Sequence, residues 1–222
     1  MDFWRYVLTA VVAYFIGNLN FSIIFSKIIF NKDIRNYGSG NAGTTNTFRT
    51  FGPVLGTIVM LCDIGKGALA VYLGKVVMFG YTERLAAVLA ALFVAIGHVY
   101  PVIFRFRGGK GVAAIGGALL MLDYRMFCMM LPVFLAVLLA SGYMSAASLS
   151  VVITCPLSAF IISHFMDGNS KMYTTIYVIT ASIFGLFILF THRSNLMRLI
   201  KGEERKLLWN KKSAKEEDKT NG

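Results

Sequence analysis

The sequence predicts an all-α integral membrane protein with about seven transmembrane helices, one of them short. Three observations carry that reading. Hydrophobic residues make up 56% of the 222 and charged residues only 15%, more apolar surface than a soluble core of this length can hide. The apolar residues fall into runs of about 20, the helical length that crosses a hydrocarbon core of roughly 30 Å. The one polar stretch long enough to stand apart, the tail after Thr191, is too short and too charged to build a second core. The chain is therefore read as a polytopic membrane domain over 1–191 and a basic cytoplasmic segment over 192–222, whose start contributes to the site.

Suitable runs lie at 3–28, 54–78, 84–104, 124–141, 145–163 and 173–191. A further apolar run, Gly111 to Leu122, spans only about 18 Å at 1.5 Å per residue, so topology decides whether it counts. Lys27, Lys32, Arg35 and Arg49 follow the first run, Arg105, Arg107 and Lys110 follow the third, and nine more Lys or Arg lie between Arg193 and Lys219. The alternate side holds Arg5, Lys75, Arg84, Arg125 and Lys171. The positive-inside rule puts the richer set in the cytoplasm, hence the N-terminus outside and the C-terminus inside. An odd number of crossings follows, which makes the short segment the seventh.

The first run is too long for a signal peptide and lacks a clear small-residue cleavage site, so it reads as a retained helix; no N-terminal lipidation signal is present. Cys62, Cys128 and Cys155 lie singly inside apolar runs and read as packing residues. The net charge of +11 reflects membrane orientation, anionic lipid and phosphorylated substrates rather than nucleic acid.

Three polar clusters carry the chemistry. The first runs from Gly38 to Arg49, between the first two runs. Gly40 and Gly43 permit turns that aim successive backbone N–H groups at one point, and Ser39, Asn41, Thr45, Asn46 and Arg49 add donors, a pattern suited to phosphate. No Gly-Lys-Ser/Thr follows, which disfavours a nucleoside triphosphate; the bland alternative is a polar turn between helices. The second cluster, Arg105-Phe106-Arg107-Gly108-Gly109-Lys110-Gly111, sets three glycines around a lysine directly before a helix N-terminus. It reads as a second phosphate cradle, because positive-inside charge explains the arginines but not the glycines. The third, His192-Arg193-Ser194-Asn195, puts His192 and Asn195 on one face if the helix continues, with Arg198 and Gly202-Glu203-Glu204 beyond; a basic juxtamembrane stop is its bland alternative. Within the second run Asp63 and Lys66 are also three apart, either lining a cavity or neutralising each other. Gly97-His98 with Pro101 ends the third run. The topology brings all three clusters to the cytoplasmic face, and two anion cradles suit two phosphorylated substrates.

These residues resemble the bacterial PlsY family of acyl-phosphate:glycerol-3-phosphate acyltransferases at Ser39 to Arg49, at Gly97-His98 to Gly111 and at His192 to Leu199. Asp63-Ile64-Gly65-Lys66-Gly67 and Ser141-Gly142-Tyr143 extend the likeness nearly end to end. Thr44, Ala114, Asn18 and Asn20 depart from the usual pattern without removing an expected catalytic group. The resemblance implies seven transmembrane helices in the bacterial cytoplasmic membrane, with the active site facing the cytoplasm. It implies transfer of a fatty acyl group from acyl phosphate to the 1-hydroxyl of glycerol 3-phosphate, giving lysophosphatidic acid and inorganic phosphate, the first acylation of phospholipid synthesis. Ser39, Lys110, His192 and Asn195 would be catalytic. Gly40, Asn41, Gly43, Thr45, Asn46, Arg49, Gly108, Gly109 and Gly111 would bind substrate. The partners implied are the two substrates, membrane lipid and the soluble enzyme that makes acyl phosphate.

Acyl phosphate is a mixed anhydride with a good leaving group, so an aligned hydroxyl can attack it directly and no acyl-enzyme is required. The His-x4-Asp pair of soluble-type glycerolipid acyltransferases is missing, since Ile103, Asn169 and Met197 stand five residues after His98, His164 and His192. No metal or cofactor is expected, because the few acidic residues offer no evident carboxylate cage. A transporter of a phosphorylated metabolite is the rival reading, but the internal repeat that would favour it is not found. A lipid-binding scaffold would not need His192 and Asn195 beside two phosphate loops.

Overall fold

Every regular element among the described residues, 3–77 and 84–207 of the computed structural model, is helical. In hydrocarbon no water pairs with backbone polar groups, and a helix satisfies them within its own segment. The helices are α1 (Phe3–Asn18), α2 (Phe21–Phe30), α3 (Thr44–Phe51), α4 (Pro53–Tyr72), α5 (Arg84–Val99), α6 (Val112–Leu122), α7 (Tyr124–Ser141), α8 (Met144–Phe160), α9 (Lys171–Thr191) and α10 (Arg193–Ile200). Short 3₁₀ turns follow α2 and α5, and α4 and α8 each run on into a wider π turn. Six stretches are long and apolar enough to cross a membrane: Phe3–Phe30, Pro53–Val76, Arg84–Phe104, Tyr124–Ser141, Met144–Met166 and Lys171–Thr191. The short apolar helix α6 stands with them as a seventh element. Of the basic segment expected over 192–222, residues 208–222 lie outside the described residues.

The first apolar run is not one helix. It breaks at Leu19–Asn20, where Asn20 adopts extended backbone and its Oδ1 accepts the Ile23 N–H at 3.1 Å, capping α2. The Asn20 amide also donates to the Ala42 carbonyl at 3.0 Å. Asn18 Oδ1 accepts the Ile103 N–H at 3.3 Å. Both asparagines are fully buried, so they fasten the polar loops after α2 and α5 to this break.

The bundle is drawn together by glycine. A Cβ on Gly17 of α1 would collide with the Val94 carbonyl of α5, and one on Gly97 with the Tyr14 carbonyl of α1. Gly67 of α4 stands likewise against the Ala114 carbonyl of α6, and Gly117 of α6 against the Ile64 carbonyl. Backbones that touch gain dispersion contacts where lipid leaves little hydrophobic drive for helices to associate. Around them α5 buries Ala86, Ala87, Ala90, Ala91, Val94 and Ala95. α8 packs between α7 and α9. Of the three cysteines only Cys155 is buried; Cys128 is exposed on the bundle surface, contrary to its reading as a packing residue. There an apolar thiol meets lipid at little cost.

The charged pair inside α4 is closed into a triad. Lys66 Nζ lies 2.7 Å from Asp63 Oδ1 and 2.8 Å from His98 Nδ1, and it donates to the Leu19 carbonyl at 2.7 Å. All three side chains are buried. The pair neutralises itself, and of its two members only Asp63, with His98, borders the cavity described next; Lys66 does not.

Candidate active site

A cavity of about 410 Å³ opens where four helices begin. Thr44 and Thr45 start α3, Val112 and Ala113 start α6, Met144 and Ser145 start α8, and Ser194 and Asn195 stand in the first turn of α10; all eight line it. The residues preceding these helices, Gly43, Gly111, Tyr143 and His192, make no side-chain cap bond. First-turn N–H groups without an internal acceptor are an anion site, and the helix dipoles add to it.

The lining is part polar and part apolar: Ser39, Asn41, Arg49, Lys110 and His192 on the one hand, Met60, Ile64, Ile115, Leu119, Phe127 and Phe134 on the other. Along α6 the two kinds separate, with Lys110 and Gly111 at the start of the helix and Ile115 and Leu119 about one and two turns in.

The first cluster divides between lining and scaffolding. Gly38 and Gly40 have positive φ, 60° and 71°, which lets the loop reverse over α3. Asn46 is 1% exposed and binds three backbone groups: its Oδ1 accepts the Ser39 N–H at 2.9 Å, and its amide donates to the Tyr37 and Ile34 carbonyls at 2.9 and 3.3 Å. Its side chain thus holds the loop's shape although the residue borders the cavity. Gly40 and Gly43 direct their N–H groups to the Tyr37 and Asn41 carbonyls, at 3.0 and 3.1 Å. Arg49 reaches across to donate to the Arg205 carbonyl at 2.6 Å.

The second cluster is split. Lys110 and Gly111 line the cavity, but Gly108 and Gly109 do not. The Gly108 and Gly109 N–H groups bond to the Val99 and His98 carbonyls, each at 3.1 Å, and are not free for a phosphate. These glycines serve close approach instead: a Cβ on Gly108 would collide with the His98 carbonyl, and one on Gly109 with the His98 ring. Arg105 and Arg107 face a different pocket.

The third cluster forms a chain of donors and acceptors. Lys110 Nζ donates to Asn195 Oδ1. The Asn195 amide donates to Glu204 Oε1 at 2.9 Å, and Arg198 Nε donates to Glu204 Oε2 at 2.8 Å. Glu204 is the participant that sequence reasoning did not select; its one signal was an acidic pair after a basic helix end. Burial would raise its pKa, but the bonds from Arg198 and Asn195 hold the carboxyl below its ordinary value. Burial pulls Lys110 down to about 8, with Arg198 and Arg49 adding to the effect against Glu204. Burial, then Lys110, pulls His192 down to about 4. His192 Nδ1–H donates to the Ile188 carbonyl at 2.9 Å, so the neutral ring keeps its lone pair on Nε2. Thr191 Oγ1 donates to the Lys110 carbonyl at 3.1 Å, tying the lysine loop to the end of α9.

The family model described as glycerol-3-phosphate acyltransferase matches residues 7–202. Relatives of that name include one from Finegoldia magna, 39% identical over 93% of this chain and 98% of its own, and one from Clostridioides difficile, 38% identical with the same coverage. Among solved structures, the glycerol 3-phosphate form of the integral membrane acyltransferase PlsY (YgiH) superposes with a TM-score of 0.77 at 30% identity, over 90% of this chain and 94% of that one. Its lysophosphatidic acid form gives 0.75 at 28% identity, with the same coverage. A match through almost every helix described above, with relatives aligned nearly end to end, establishes that the chain belongs to the glycerol-3-phosphate acyltransferase family.

Proposed function

We propose that this membrane acyltransferase moves a fatty acyl group from acyl phosphate to the 1-hydroxyl of glycerol 3-phosphate, with no acyl-enzyme, at the cytoplasmic face of a bacterial cell membrane. The mixed lining of the cavity carries the proposal: its basic groups and helix N-termini fit phosphate, and its apolar part fits a fatty chain. Solved PlsY forms with glycerol 3-phosphate and with lysophosphatidic acid support the acceptor and the product. The excess of Lys and Arg in the loops that carry the clusters supports the cytoplasmic face.

Lys110 and Arg49 hold phosphate groups, and the free N–H groups at the starts of α3 and α6 complete the cradle. Asn195, fixed at both ends of its amide, keeps Lys110 in place. Ser39 contributes a hydroxyl to the polar part of the lining. His192 Nε2 accepts a hydrogen bond from the attacking hydroxyl, which orients it toward the acyl carbon. A C–O bond forms between the glycerol oxygen and that carbon, the bond from the carbon to the phosphate oxygen breaks, and the hydroxyl proton passes by way of His192 Nε2 to the departing phosphate. Negative charge on the leaving group is met by Lys110.

The test supplies the purified protein in lipid with labelled glycerol 3-phosphate and, in parallel, acyl phosphate, acyl coenzyme A or acyl carrier protein. Lysophosphatidic acid is expected from acyl phosphate alone. Equal product from a thioester donor would remove the donor assignment, and protein found covalently acylated by intact-mass spectrometry after a denaturing quench would remove the direct attack.

A further inference from the structure

Arg105 and Arg107 belong by sequence to the lysine motif, yet the cavity does not take them up. They line a separate pocket of about 670 Å³ with Lys27, Asp33, Arg35 and Phe104. Its single carboxylate is already engaged: Arg35 binds Asp33 at 2.7 and 2.9 Å, and Lys27 approaches it at 3.4 Å. Arg35 also donates to the Phe104 carbonyl at 2.8 Å, which fixes its guanidinium at the wall. No carboxylate among the described residues pairs with Arg105 or Arg107, so the pocket keeps an excess of three positive charges. The backbone beneath it is unusual, because Arg105 and Phe106 both hold φ of 57° without being glycine. Bonds from the Phe106 and Arg107 N–H groups to the Pro101 and Phe104 carbonyls, at 2.8 and 3.3 Å, maintain that shape. Such strain persists where the surroundings enforce it, and it concentrates at binding sites.

The pocket sits where two membrane spans end, Phe3–Phe30 and Arg84–Phe104. Large apolar side chains stand exposed close by in sequence: Ile28 is 76% exposed, Ile103 59% and Phe106 59%. Cations in a concave site, beside apolar side chains at the end of a span, match a lipid whose phosphate enters the pocket while its chains stay in the bilayer. We propose that this pocket binds the headgroup of an anionic phospholipid of the surrounding membrane. It is separate from the acyl-transfer cavity, with Gly40 bordering both.

The protein is reconstituted in bilayers of equal parts phosphatidylcholine and phosphatidylglycerol, then extracted in mild detergent, and its co-purifying lipids are counted by mass spectrometry. Phosphatidylglycerol is expected to be retained over phosphatidylcholine on the order of tenfold. R105Q/R107Q loses most of that preference, while its acyl transfer in phosphatidylcholine alone is unchanged. K27Q, on a different element, loses part of it. Equal retention of the two lipids, a preference unaltered in both variants, or release of phosphatidylglycerol by millimolar inorganic phosphate would overturn the assignment.

Discussion

The α4–α6 crossing and helix α7 both border the cavity, and they are built in opposite ways. At the crossing two backbones touch, with Gly67 and Gly117 each set against a carbonyl of the other helix. α7 instead offers bulky side chains, Phe127, Met130, Leu131 and Phe134, to the apolar part of the lining. Its membrane-spanning window is 17% buried, against 44% for the stretch containing α4. Backbone contact has few alternative arrangements, whereas Met and Phe on a largely lipid-facing helix can repack. The contrast assigns fixed geometry to the polar side of the cavity, where α6 begins, and tolerance to the apolar side.

The largest effect should come from breaking the rigid side. Gly117→Val drives a branched side chain into the Ile64 carbonyl and should cost about 3 kcal/mol, read as loss of monodisperse protein and a lowered thermal midpoint. Lys110→Ala should keep the fold but lower kcat/KM on the order of a thousandfold, because the proposed mechanism then loses the buried cation that faces the leaving phosphate. A pH series sharpens the same point. Lys110 carries its proton below about 8, so KM for glycerol 3-phosphate should rise as the pH climbs through that value. His192, at about 4, is already neutral above pH 5, so no acid limb from this ring should appear between 5 and 7. The smallest change belongs to α7: Phe134→Ala should leave the thermal midpoint nearly unmoved and alter KM a few-fold in favour of bulkier acyl chains. An equal loss of stability in Phe134→Ala and Gly117→Val would erase the contrast.

Spans were legible because hydrocarbon imposes length and apolarity at every position; 124–141 coincides with α7, and the other runs end within a few residues of their helices. The break at Leu19–Asn20 was not, because two asparagines scarcely lower the hydropathy of a long apolar run. Asn18 and Asn20 were noticed only as departures from a family pattern, though their amides pin two loops. In the site, residue types pointed to phosphate, but backbone bonding could not be read. Gly108 and Gly109 have no free N–H, and Asn46 is occupied by its own loop. Adjacency also misled: Arg105 and Arg107 stand within five residues of Lys110 but face another pocket, with Gly108 and Gly109, pinned to the Val99 and His98 carbonyls, between Arg107 and Lys110. Glu204 stood in the sequence only as half of an acidic pair; its part in the site needs the tertiary contacts to Asn195 and Arg198.

The divided first span has a consequence for assembly. In an unbroken helix the Leu19 carbonyl would accept the Ile23 N–H, which Asn20 has taken instead. The carbonyl's partner is Lys66, 47 residues later in the chain. Synthesis delivers the first span before α4 exists, so a chain that breaks at Asn20 at once would hold an unpaired backbone acceptor in the bilayer until Lys66 arrives. A nascent chain halted before Lys66 should then be more exposed to proteolysis than one halted after it.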